Sequence, residues 1–68
     1  MGERMPRVGD LLIQKVNGRE YTGLIYRIYD RSAFIKWSGK APHSYYSQYG
    51  YAVTNIHNQP HVFSLVRT

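Results

Sequence analysis

The chain has 68 residues and no cysteine, and nine Lys or Arg against four Asp or Glu give a formal charge of +5. A chain this short hides only about 60% of the surface its unfolded form exposes. Its fourteen Val, Ile and Leu make a thin core, and a disulfide or cysteine-zinc framework is excluded.

The first residues, MGERMPR, read as a flexible arm over 1–7, followed by one domain over 8–68. The arm lacks the apolar core of a secretory signal, and no apolar run approaches the ~20 residues that span a membrane. A cytoplasmic protein without membrane association is expected. Asp10 to Val16 is the first strand. Asn17-Gly18 follows, the strongest short hairpin signal, because a type I′ turn needs positive φ at both central positions. Thr22 to Tyr29 is the second strand, Asp30-Arg31-Ser32 a turn, and Ala33 to Trp37 the third strand. Ser38 to Pro42 breaks the pattern. Val53 and Ile56, three apart, fit one helical or 3₁₀ turn closed off by Pro60. His61 to Arg67 is the last strand. Short strands between turn signals predict a small barrel or sandwich.

The turns imply a register. A two-residue Asn17-Gly18 loop pairs Leu11 with Leu24, Ile13 with Thr22, Lys15 with Glu20 and Val16 with Arg19. With a two- or four-residue loop in the second hairpin, Ile28 is expected opposite Ile35, Tyr26 opposite Trp37, Tyr29 opposite Phe34 and Arg27 opposite Lys36. Alternation then places Leu11, Ile13, Leu24, Tyr26, Ile28, Ile35 and Trp37 on a core face. Ile25, Arg27, Tyr29, Phe34 and Lys36 fall on the other face. A bulge after Gly23, or a three-residue turn, flips part of this assignment. The second face would set two like charges opposite each other, unfavourable unless an anion screens them. A bound polyanion turns that repulsion into attraction.

The segment from His43 to Tyr51 holds four Tyr in seven residues (Tyr45, Tyr46, Tyr49 and Tyr51). In a chain with few aliphatics, two of these are expected in the core and two at the surface. Exposed rings beside cations suit stacking on unpaired bases, worth about 1–3 kcal/mol each. They also suit a cage for a methylated ammonium group, a reading disfavoured because Ser32 to Thr68 contains no Asp or Glu.

His43, His57 and His61 do not make a metal site: Pro60 prevents a regular helix between the last two, and no Cys or neighbouring acid completes a ligand set. No cofactor is expected. There is no phosphate-binding loop, no nucleophile elbow and no paired carboxylates, so no enzymatic activity is expected.

Val8-Gly9-Asp10-Leu11, then Thr22-Gly23-Leu24-Ile25, then Ile35-Lys36-Trp37-Ser38-Gly39 resemble in their order the SH3-like small β-barrels of the Tudor, chromo-barrel and KOW type. In those barrels a valine-glycine-aspartate lead-in precedes strand one, a glycine starts strand two and a valine-x-tryptophan ends strand three. The closing run Asn58 to Val66 also resembles their short turn and last strand. The resemblance implies an all-β fold: an antiparallel barrel of about five short strands, with one helical or 3₁₀ turn before the last. Known roles in that group include binding DNA, RNA, ribosomal surfaces, modified histone tails and other proteins, so the fold leaves the function open.

The expectation with most support is a non-enzymatic nucleic-acid-binding domain of low sequence specificity. Lys15, Arg19, Arg27, Arg31, Lys36 and Lys40 are the candidate phosphate contacts, and Tyr29, Phe34, Tyr45, Tyr46 and Tyr49 the candidates for stacking or groove contact. The alternative is a protein-interaction module, such as a small bacterial or phage regulator, docking on an acidic partner surface. Self-association into a homodimer through exposed strand edges is a third reading.

Overall fold

The computed structural model describes residues 5–42 and 50–67. Five antiparallel strands, β1 (Leu11–Val16), β2 (Arg19–Tyr29), β3 (Ser32–Trp37), β4 (Tyr51–Ala52) and β5 (Phe63–Val66), form one sheet in the order β4-β3-β2-β1-β5. The sheet curls into a half-barrel, and a short helix α1 (Val53–Asn58) precedes the last strand. This is the all-β architecture expected from the sequence. No described helix is long and apolar enough to cross a membrane.

The first hairpin forms as its turn chemistry dictates. Asn17 and Gly18 take φ of 49° and 79°, the positive pair a type I′ turn requires. Leu11↔Leu24, Ile13↔Thr22, Lys15↔Glu20 and Val16↔Arg19 pair as expected. The lead-in to β1 is a turn closed by its own aspartate. The Arg7 N–H donates to Asp10 Oδ2 at 3.0 Å, and the Asp10 N–H donates to the Arg7 carbonyl at 3.1 Å. Gly9 supplies the φ of +100° that this turn needs. The Gly9 N–H and the Asp10 carbonyl then both bond Ile25. Of the arm expected over residues 1–7, residues 1–4 lie outside the described residues, while Pro6 is buried.

The second hairpin has one of the two expected loop lengths but departs from the expected register. Its loop is the two residues Asp30 and Arg31, both at positive φ (53° and 64°), so Tyr29 pairs with Ser32, Ile28 with Ala33 and Arg27 with Phe34. A bulge at Tyr26 then resets the ladder, and Ile25 pairs with Ile35, Leu24 with Lys36 and Gly23 with Trp37. Arg27 and Lys36 are therefore not directly opposed.

The bulge also corrects the core face. Leu12 and Ile25 are completely buried, whereas Leu24 and Tyr26 are exposed, and Leu11 and Ile13 only half-buried. The concave side holds the row Leu65–Leu12–Gly23–Trp37 and, beside it, Phe63–Gln14–Tyr21. Gly23 decides which side packs. A Cβ there would meet the Ile35 side chain and lie 2.9 Å from Trp37 Cε3, so its missing side chain admits the indole and the isoleucine. The bulge absorbs one residue, which returns Ile28 to the side of Ile35 and Trp37. Strict alternation cannot place both Ile25 and Ile28 inward.

Helix α1 closes one end of the half-barrel. It has neither a capping side chain nor an acidic first turn, so tertiary contacts hold it rather than intrinsic propensity. Ile56 is buried in the core and Val53 packs against it, while the Val53 N–H donates to the Arg31 carbonyl at 3.0 Å. The Gln59 carbonyl accepts from both Val62 and Phe63 N–H groups and turns the chain into β5.

Candidate nucleic-acid interface

The convex side of the sheet carries what the core rejects. On β2 and β3 these are Leu24, Arg27, Tyr29, Phe34 and Lys36, with Tyr26 standing out at the bulge. Tyr29 is 62% exposed and Tyr26 52%, so both rings are largely open to solvent. The Arg27 guanidinium carbon lies 4.9 Å from the Tyr29 ring centroid and 5.9 Å from that of Phe34. Both distances fall within cation–π range. The pairing explains this: Phe34 is the cross-strand partner of Arg27, and Tyr29 is the next residue on the same face. Lys36 follows Phe34 by two residues on the same side of β3, so the two cations are diagonal neighbours. That offset weakens their repulsion and leaves both heads available to an anion.

Among the described residues, carboxylates stay off the centre of this patch. Asp10 is buried, Glu20 pairs with Lys15, and Asp30 sits in the turn beyond Tyr29.

The other predicted cations are not gathered with Arg27 and Lys36. Strand β2 has 11 residues, so Arg19 lies about 33 Å of strand contour from Tyr29. Lys15 belongs to the Arg19 end, directly opposite Glu20. Lys40 follows β3 toward that same end, because the Ser38 N–H bonds the Thr22 carbonyl at 2.8 Å. Arg31 is at the opposite end, in the turn next to Tyr29, where its carbonyl anchors α1. Arg27, Tyr29, Phe34 and Lys36 thus form one patch with Arg31 at its border, while Lys15, Arg19 and Lys40 lie apart. Tyr45, Tyr46 and Tyr49, with His43, lie outside the described residues.

Among the described residues, three aromatics pack into or against the core, Trp37, Tyr51 and Phe63. Tyr51 meets Trp37 edge-on at 6.4 Å and 86°, and Phe63 at 5.5 Å and 61°. Its hydroxyl donates to Gln14 Oε1 at 2.9 Å.

Strict alternation places Tyr26 and Leu24 inside, whereas both are exposed; the bulge allowed for after Gly23 falls at Tyr26. The described residues contain no group of three or more His, Cys, Asp or Glu that could hold a metal ion. Comparison with protein-family models, curated proteins and solved structures gives no match.

Proposed function

We propose that the chain is a non-enzymatic nucleic-acid-binding domain that uses the convex face of β2 and β3. The observation that carries this reading is the Arg27 guanidinium held over two rings, with exposed Tyr29 and Tyr26 around it and Lys36 one diagonal away. Arg27 and Lys36 neutralise phosphates, and Tyr29 and Tyr26 offer π-faces to bases, the pairing of charge and stacking that serves sequence-tolerant binding. The strand order and the helix before β5 are compatible with an SH3-like barrel, a group that includes nucleic-acid binders. The net charge of +5 acts in the same direction.

The test is a titration of labelled DNA and RNA oligonucleotides at several salt concentrations. Binding is expected to weaken as salt rises, with a log–log slope of about −0.7 to −0.9 per neutralised phosphate. The variant Arg27→Glu with Lys36→Glu is expected to abolish it without unfolding the domain, since both residues are exposed. Unchanged affinity in that variant overturns the reading. Docking on an acidic protein surface is the second reading, favoured by the exposure of Leu24 and Val66. A partner retained after nuclease treatment and in about 0.5 M salt supports it, because screening weakens purely electrostatic contacts.

A further inference from the structure

Among the described residues, β5 ends the sheet and has β1 on one side only. Backbone groups along an antiparallel strand alternate between the neighbouring strand and the opposite edge. The Lys15 N–H bonds the Val62 carbonyl at 2.8 Å, and the same register continues through Ile13↔Ser64 and Leu11↔Val66. Val62, Ser64 and Val66 therefore turn their backbone groups to β1, while Phe63, Leu65 and Arg67 turn theirs outward. The Phe63 N–H is already used, because the Gln59 carbonyl accepts it at 2.9 Å. The N–H and carbonyl groups of Leu65 and Arg67 have no partner among the described residues.

An edge of this kind is a template for another strand, and proteins commonly blunt it with lysine, proline or a bulge. Phe63-Ser64-Leu65-Val66 carries no charge and no proline, and its pairing with β1 runs without a shift. On the convex side, Val66, Leu11, Leu24 and Lys36 stand in one cross-strand row. Val66 is 44% exposed and Leu24 38%, so the row brings uncovered apolar surface to the open edge.

We infer that β5 pairs antiparallel with β5 of a second copy of this chain, about a two-fold axis at Val66. In this register Leu65 of each copy exchanges both backbone hydrogen bonds with Arg67 of the other. Val66 faces Val66 of the second copy as a non-hydrogen-bonded pair, the closer of the two antiparallel spacings. The convex row then runs unbroken from Lys36 of one copy to Lys36 of the other. An axis at Ser64 would need the Phe63 N–H that Gln59 holds, and an axis at Leu65 would bring Arg67 of the second copy against the Gln59 turn. Charge selects the occupant. In a chain of +5, uncharged β5 is where two copies meet with least repulsion, and an acidic strand finds no cation on it to pair with. The isologous contact uses up the β5 edge of both copies, so it closes at a dimer. The inference does not depend on the nucleic-acid reading. It sets the two Arg27–Lys36 patches on one continuous convex sheet.

The test measures the mass of the full chain by sedimentation over a range of protein and salt concentrations. The mass is expected to rise from 8.0 kDa toward twice that value as protein concentration increases. Salt should favour the dimer, because it screens the repulsion between the two copies. Val66→Lys sets two lysines directly opposite each other and is expected to weaken dimerisation at least about tenfold. Because Val66 is exposed, the variant should melt like the wild type at a dilution where both are monomeric. The chain has no cysteine, so an introduced one reports the register. Val66→Cys is expected to form an intermolecular disulfide under mild oxidation, since a Cα separation of about 4.5 Å lies within the disulfide range. Ser64→Cys, and Leu24→Cys at comparable exposure, should stay uncrosslinked. A mass of 8.0 kDa at every concentration overturns the inference. A dimer that Val66→Lys leaves intact, or crosslinking of Ser64→Cys or Leu24→Cys as fast as that of Val66→Cys, overturns the β5 edge as its interface. Both results leave the nucleic-acid reading standing, since that reading fails only on the variant Arg27→Glu with Lys36→Glu.

Discussion

The Tyr51 hydroxyl donates a 2.9 Å hydrogen bond to Gln14 Oε1, joining β4 to β1 across the concave side of a sheet in which three ladder steps separate those strands. Gln14 is 5% exposed, and an amide so placed is tolerable only when its polar atoms are satisfied. The bond thus does two things. It satisfies a buried acceptor, and it ties the curled sheet to itself where the described backbone ladder does not close.

Tyr51→Phe is expected to destabilise the domain by about 1–3 kcal/mol, the cost of leaving a buried acceptor unpaired. Gln14→Leu combined with Tyr51→Phe is expected to recover part of that loss, because two apolar side chains replace a broken polar pair. Urea denaturation of the two variants and the wild type measures both effects. A Tyr51→Phe variant as stable as the wild type contradicts this account of Gln14.

Gly23→Ala is expected to cost about 1–3 kcal/mol by overpacking, since the new methyl meets Ile35 and Trp37. Gly50→Ala combines a φ of +67° with a Cβ only 2.6 Å from the Ala33 carbonyl oxygen, and is expected to be at least as costly. Gly39, at φ +92°, has nothing within 4 Å of its virtual Cβ, so Gly39→Ala carries backbone strain alone. Melting temperatures of the three variants should place Gly39→Ala nearest the wild type.

Arg31→Gly separates stability from binding. Arg31 sits at φ 64° in the turn between β2 and β3, a conformation that costs a residue with a Cβ about 1–2 kcal/mol and glycine almost nothing. The substitution creates an Asp-Gly pair, a favoured type I′ sequence. It is expected to raise the urea midpoint without changing the m-value. Arg31 only borders the aromatic patch, so oligonucleotide affinity should fall little. A lowered midpoint would show that the arginine side chain makes a stabilising contact that outweighs its backbone strain.

Tyr29→Ala is expected to weaken single-strand binding by about 1–3 kcal/mol through loss of a stacking surface. Tyr29→Phe should keep most of the affinity, because the ring and not the hydroxyl is the proposed contact. Arg27→Lys keeps the charge but loses the flat group that lies over Tyr29 and Phe34, so affinity should fall while the salt slope holds. Fluorescence anisotropy with the same oligonucleotide across salt concentrations distinguishes the three. Equal affinity for Tyr29→Ala and wild type would remove Tyr29 from the interface.

Strands β1, β2, β3 and β5, the first hairpin and the helix were legible in the sequence because each depends on neighbours in the chain, whereas the two-residue strand β4 (Tyr51–Ala52) was not. Asn17-Gly18 dictates its own turn and with it the β1–β2 register. Val53 and Ile56 need only one helical turn to face the same way. Arg27, Tyr29, Phe34 and Lys36 share a face in the structure as in the alternation pattern, since Arg27 and Tyr29 both lie between the bulge and the turn on β2, and Phe34 and Lys36 are two apart on β3, which carries no extra residue. Which face of the sheet is the core was a tertiary decision. Leu11 and Ile13 are as apolar as Leu12 and more so than Gln14, and no local rule prefers the second pair. The choice follows from the space above Gly23, from Tyr51 arriving 37 residues later to satisfy Gln14, and from a bulge that the sequence allows after Gly23 without requiring it. The outward turn of the Leu65 backbone is likewise invisible in the chain, because only the pairing of β1 with β5 decides which groups of β5 are left at the sheet edge.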